Sequence, residues 1–325
     1  MAITRRAFLG TSTAALAAGT LGRFAWPPIG LSAQPPQQPQ QPPTPVVTEL
    51  RRNVGTFTMQ GGTIGWLVNT AGAIAVDSQF PASAAVCVEA LLERSGKTGI
   101  AALINTHHHG DHTGGNGVFR PKTRQIIGHA NVPKYMHATH KANLDRRAQQ
   151  TPPPTTPAPA EPVVPDRTFA DAWSFEHGDE RVTAKHYGPA HTGGDAVIRF
   201  ERANVAHMGD LMFNRRHPVI DRVNGASIAN WSTVLRAVAS DLPADTLYIY
   251  GHAGTNFPVT GPRADLLHHA NYLEALLEYV RGQAKAGKTR VEVVALREVI
   301  KGFEDYGPLV ATPLGPAFDE VTAGG

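Results

Sequence analysis

One cysteine, Cys87, stands among 325 residues, so no disulfide within the chain can staple the fold. Its setting, Ala84-Ala85-Val86-Cys87-Val88, reads as a small buried helix residue and gives no support to a thiol nucleophile. Charge is sparse as well: 18% of residues are charged, and the formal net charge is +3. With no basic run interleaved with aromatics, that balance argues against a nucleic-acid groove. No apolar run reaches the ~20 residues a stable membrane helix needs, so no transmembrane segment is expected in the mature form. What remains is a 42% hydrophobic chain, long enough for one large α/β domain acting on a small-molecule substrate.

The N-terminus has a different character. Thr4-Arg5-Arg6-Ala7-Phe8-Leu9-Gly10 is a twin-arginine pattern, followed by a mildly apolar stretch to Leu21. Residues 1–33 therefore resemble a Tat-type signal peptide, with Leu31-Ser32-Ala33 as the cleavage region and an uncleaved N-terminal anchor as the alternative. This predicts the Tat export machinery as a partner and a periplasmic or secreted enzyme. Residues 34–48 are rich in Gln and Pro and are expected to form a disordered spacer. The catalytic domain is assigned to residues 49–325, with 151–165 as a Pro-rich insertion.

Within the domain, Thr63 to Val68 and Ala73 to Asp77 read as a hairpin about the turn Asn69-Thr70-Ala71-Gly72. A helix is expected after Pro81, ending at Gly96, and then a buried strand, Ile100 to Ile104. A further strand over 125–128 precedes a basic, His-bearing helical region reaching about Gln150. Its His129, His137 and His140 fit either a substrate-facing lid or a solvated helix face. Strand-like runs recur at 182–187, 196–200, 204–208 and 246–250. Helical spacing marks Trp231, Val234, Leu235 and Val238, and then a last clear helix over about 264–281. His268 and His269 are placed on the polar side of that last helix, as surface residues.

The strand Ile100 to Ile104 runs into Thr106-His107-His108-His109-Gly110-Asp111-His112-Thr113, and no hydrophobic core requires such a composition. Histidines two positions apart on extended backbone point the same way, so His107 and His109 can converge on one ion while Asp111 and His112 turn towards a second. His108, between them, is expected to face away. Three more strand-like runs end in Gly-flanked metal-type residues: Gly188-Pro189-Ala190-His191, Gly209-Asp210 and Gly251-His252. Loops at strand C-termini gather at one sheet edge, where ligands distant in sequence can meet.

These motifs together resemble those of the metallo-β-lactamase superfamily over nearly the whole mature chain. The resemblance implies a four-layer αββα sandwich and a dinuclear site at one sheet edge. It implies that His107, His109 and His191 hold a first metal and Asp111, His112 and His252 a second, with Asp210 bridging. Asp77 matches the superfamily's first-motif aspartate, implying a carboxylate that orients the histidine loop. The expected cofactor is two Zn2+, with Fe or Mn also compatible with His and carboxylate donors. A hydroxide held between two cations near neutral pH would attack an ester, lactone, thioester or amide bond, β-lactams included, with Asp111 carrying the proton. Alternatives are an iron-dependent oxidoreductase of the same fold and a β-lactamase proper. Cysteine or serine replaces the bridging carboxylate in the best-known β-lactamases, so Asp210 resembles the glyoxalase II, lactonase and phosphodiesterase branches instead.

Overall fold

The structure is a computed structural model that describes residues 43–323. The signal-type segment 1–33 and residues 34–42 of the spacer lie outside the described residues. The first sheet opens with four antiparallel strands, β1 (Val46–Arg51), β2 (Val54–Thr58), β3 (Ile64–Asn69) and β4 (Gly72–Val76). Helix α1 (Pro81–Arg94) crosses to β5 (Ile100–Ile104), parallel to β4. Two single-turn helices, α2 (Gly110–Thr113) and α3 (Asn116–Phe119), then lead to β6 (Ile126–His129), α4 (Val132–Ala148) and β7 (Arg167–Phe169). Strands β6 and β7 extend the sheet in parallel, giving the order β1-β2-β3-β4-β5-β6-β7.

The second sheet is built from β8 (Ala172–His177), β9 (Glu180–Lys185), β10 (Val197–Phe200) and β11 (Val205–His207). A short strand, β12 (Phe213–Asn214), and α5 (Ile228–Asp241) precede β13 (Leu247–Ile249), β14 (His252–Ala253) and β15 (Thr260–Gly261). The order is β15-β13-β11-β10-β9-β8, with β12 and β14 paired separately. Helices α6 (Arg263–Lys285), α7 (Arg290–Val294) and α8 (Ala311–Ala323) close the domain. No helix among the described residues is long and apolar enough to cross a membrane.

Three apolar clusters define the layers. Alternation along β4 sends Ala73 and Ala75 to one face, against Cys87, Val88 and Leu91 of α1. It sends Ile74 and Val76 to the other face, into a core shared with Val182, Ile198, Phe200 and Ile249 of the second sheet. The outer face of that sheet, including Val197, Ala206 and Tyr248, packs on Trp231 and Leu235 of α5 and Leu273 and Leu276 of α6. Helix, sheet, sheet, helix is the expected αββα sandwich. Cys87 is fully buried, and burial pushes its thiol pKa up, so its role is packing.

The structure corrects four sequence readings. Strands β1 and β2 precede the hairpin, and β1 begins at Val46, inside the segment assigned to the spacer. Pairing Val46 with Thr58 and Val47 with Phe57 supplies partners that a local reading cannot see. The helix over 264–281 is not the last, because α7 and α8 follow, and Leu314 and Ala317 of α8 are buried in the α5–α6 core. His269 is fully buried rather than exposed, with Nδ1 2.8 Å from the Tyr306 hydroxyl. His129 ends β6 instead of riding on α4, and its ring stacks on His186. Most of α4 is exposed, including His137, and residues 151–165 carry no helix or strand.

Candidate metal centre

Four connections bring the site together. The stretch from Asn105 to His109 leaves the C-terminal end of β5, and α2 carries Asp111 and His112. The loop after β9 carries His191, the turn Gly209–Leu211 after β11 carries Asp210, and His252 opens β14 just past β13. Donor atoms of His107, His109, His191 and Asp210 all lie within 4.8 Å of one another, as do those of Asp111, His112 and His252. The structure thus brings together all seven sequence-predicted ligand candidates, in the two predicted sets.

Asp210 stands between the sets. Its Oδ2 is 3.5 Å from His191 Nε2 and 3.9 Å from His107 Nε2, while Oδ1 is 3.0 Å from His112 Nε2 and 3.5 Å from His252 Nε2. Asp111 Oδ2 lies 3.0 Å from His252 Nε2. Glycine is required where the chain touches these groups. A Cβ at Gly251 would overlap the Asp210 carboxylate, and one at Gly62 would overlap the His112 ring.

Outer hydrogen bonds decide which ring nitrogens face inward. His112 Nδ1 donates to Asp77 Oδ2 at 2.7 Å, which turns Nε2 inward to 3.0 Å from Asp210 Oδ1; burial opposes a charge on this ring, but Asp210 and Asp77 hold its pKa well above the usual imidazole value until a metal displaces the proton. Thr106 gives its N–H to Asp77 Oδ1 and its hydroxyl proton to Asp77 Oδ2, so Thr106 Oγ1 can accept only from His107 Nδ1, 3.0 Å away. His191 Nδ1 donates to the Val219 carbonyl, and His109 Nε2 to Asp221 Oδ2, each at 2.9 Å. Asp77 is fully buried and sits at φ +66°, a strained backbone for an aspartate that the surrounding network must hold in place.

The bare nitrogens then face partners that ordinary hydrogen bonding does not satisfy. His107 Nε2 and Asp210 Oδ1 are buried without a hydrogen-bond partner. His109 Nδ1 and His191 Nε2 lie 3.0 Å apart, both as lone pairs. A cation between them satisfies what would otherwise be repulsion, so the donor set fits divalent metal. Burial and the neighbouring His112 push the His107 pKa well down, keeping it neutral and able to coordinate. Burial opposes ionisation of Asp210, but His252 and His112 hold its pKa well below the carboxylate range. Burial likewise works against an ionised Asp111, yet His252 and His112 keep its pKa lowered.

His252 differs from the other ring ligands. Its outer Nδ1 faces Arg216, a donor, at 3.4 Å, so no acceptor pins that ring. Thr106, Val219 and Asp221 were not assigned roles from the sequence. Thr106 precedes the motif directly and could have been noticed, whereas Val219 acts through its backbone and Asp221 lies outside every motif. His108, expected to point away from its neighbours, instead converges with His109 on Asp221, its Nε2 3.2 Å from Asp221 Oδ2, and the three residues form a further group that could hold a metal ion. Beside the centre, Phe80, next to Gly61 and Asp111, and Val219, bonded to His191, have exposed apolar side chains.

The sequence pattern of the metallo-beta-lactamase superfamily matches residues 60–252. The chain belongs to this superfamily, and it is a metal-dependent hydrolase of that class. Its fold is similar to a metallo-beta-lactamase from Pontibacter korlensis, with a TM-score of 0.55 and 16% identity over 71% of this chain and 99% of that one. Metallo-beta-lactamase IND-7 gives a TM-score of 0.55 and 16% identity over 70% and 98%. A double mutant of the sec-alkyl sulfatase PisA1 gives a TM-score of 0.61 and 14% identity, covering 84% of this chain and 49% of that one. Among curated proteins, none matches the chain in sequence.

Proposed function

We propose that this chain is a dinuclear hydrolase, with zinc as the first candidate metal, that opens esters or lactones in preference to β-lactams. The observation that carries the reading is the split Asp210 carboxylate, one oxygen turned to each cluster. Such a carboxylate would offer one oxygen to a cation in each cluster and place its negative charge between them. When bound, the pair of cations supplies Lewis acidity and, from water, hydroxide at neutral pH.

The chain's residues do the rest. His107, His109 and His191 would hold one ion, and His112, His252 and Asp111 the other. Asp111, with 30% of its side chain exposed, takes a proton at Oδ2 from the attacking water and returns it to the leaving group. Asp77 and Thr106 keep His112 and His107 oriented. The Arg5-Arg6 segment supports export through the Tat machinery, to the periplasm or beyond.

The test is a hydrolysis panel of esters, lactones, thioesters, phosphodiesters and β-lactams on the metal-loaded mature protein, with elemental analysis of the metal taken up. Esters or lactones turning over fastest, with two ions per chain, is the expected result. Penicillins or carbapenems turning over far faster would reverse the branch assignment. Iron in place of zinc would favour the oxidoreductase reading.

A further inference from the structure

The loop between Asp210 and α5 does more than connect them. Its Val219 carbonyl takes the Nδ1 proton of His191, and its Asp221 carboxylate takes the Nε2 proton of His109, both at 2.9 Å. These two bonds leave His191 Nε2 and His109 Nδ1 as lone pairs 3.0 Å apart, turned to each other and towards Asp210. Val219 acts through its backbone and is indifferent to side-chain identity. Asp221 is a side chain, and nothing else near His109 Nε2 replaces it.

Asp221 is itself held. Asn224 donates to it twice, from its backbone N–H to Oδ1 at 3.2 Å and from Nδ2 to Oδ2 at 2.7 Å. Its Oδ2 also lies 3.2 Å from Nε2 of His108, whose side chain is fully buried and whose two ring nitrogens lack a well-formed hydrogen bond. A carboxylate fixed by a turn and facing two imidazoles can act as a fixed proton acceptor. A neutral imidazole carries one proton, and an acceptor at Nε2 places it there, which frees Nδ1.

The geometry points to Asp221 as a positioning residue that fixes the tautomer and tilt of His109 and thereby sets the affinity of the His107-His109-His191 cluster for its ion. This rests on the metal-site reading above. Its role mirrors that of Asp77 on His112, but it comes from the loop after Asp210 and from no recognised motif.

Two measurements test it. The first is the ring nitrogen NMR spectrum of His109 in metal-free protein, which is independent of any activity or loaded metal. Wild type should show the proton on Nε2, and Asp221→Ala should shift the population towards Nδ1. The second is Zn2+ affinity of the tighter site by chelator competition, with ion count. Asp221→Ala should weaken it ~10–100-fold, the range for losing an outer partner of a ligating histidine. Asp221→Asn retains an acceptor oxygen and should recover most of that loss.

A wild-type ring protonated at Nδ1, or an alanine variant with unchanged tautomer and affinity, would overturn the assignment. So would equal losses in the alanine and asparagine variants with the tautomer unmoved, which would make charge alone the cause. An ion count of three in wild type falling to two in the variant would make Asp221 a ligand instead. If the alanine variant fails to fold, the wild-type spectrum and the asparagine variant still decide. If the hydrolase reading fails while the spectrum holds, only the metal's use has been misread.

Discussion

Asp210 concentrates the chemistry of the site into one side chain. Because its oxygens face different clusters, Asp210→Ala should lower affinity for at least one ion and leave turnover depressed even at saturating metal. Metal titration followed by assay at saturation separates the two effects. Asp210→Cys offers a soft thiolate suited to one zinc and should restore binding of one ion without restoring ester hydrolysis. His252 makes a contrasting case. Its outer nitrogen faces Arg216 rather than an acceptor, whereas the three histidines of the first cluster are each pinned by Thr106, Asp221 or Val219. Two ions should therefore bind in sequence, the first cluster filling first. His252→Ala should weaken the second by more than the ~10–100-fold typical of losing an outer partner, with the first affinity nearly unchanged in calorimetric titration. At this scale the sequence motifs named the ligand candidates, because spacing and residue type show in the linear chain. Of the acceptors that orient them only Asp77 showed, through its place in the first motif, since a backbone carbonyl such as Val219 carries no mark in sequence.

Helix α6 illustrates what periodicity misses at the scale of an element. Its apolar stripe, Leu266, Ala270, Leu273 and Leu277, predicted the helix but placed His269 on the wet side. Because α8 and the Tyr306 segment fold back over it, His269 is enclosed with its ring stacked on Tyr272 and Tyr306. Burial, with the charge of His268 nearby, lowers its pKa to about 3. The unfolded chain takes up that proton near the ordinary value of ~6.5, and the folded chain does so only near 3. The unfolded state thus binds more protons in between. The stabilisation is complete above pH 6.5 and is lost as pH falls towards 3. Urea midpoints of metal-free protein should therefore drop between pH 7 and 4.5, and less steeply in His269→Phe. The slope is the readout, because losing the Tyr306 partner lowers absolute stability at every pH. An unchanged slope would place the acid sensitivity in other buried histidines such as His129.

For the whole molecule, the folded catalytic domain and the N-terminal twin-arginine segment are separable properties. Replacing Arg5 and Arg6 by lysine should strand the precursor in the cytoplasm while leaving metal uptake and hydrolysis by the purified domain unchanged; undiminished export of that double variant, followed by fractionation, would remove the Tat proposal. The sequence by itself determined the buried strands, the amphipathic helices and the ligand candidates, because period-2 and period-3.6 patterns and Gly-flanked histidines are local. It placed the first three residues of β1 in a spacer, since Val46 and Val47 become a strand only by pairing with Thr58 and Phe57. It stopped at α6, since the apolar face of α8 is meaningful only against α6. Only the tertiary structure decided that Asp210 divides its oxygens between two clusters and that Thr106, Val219 and Asp221 join Asp77 in choosing each ring's inward nitrogen. Those contacts join residues up to 112 positions apart, as between His109 and Asp221, and a hydrogen bond's direction is fixed by where the backbone brings its partners, not by their order along the chain.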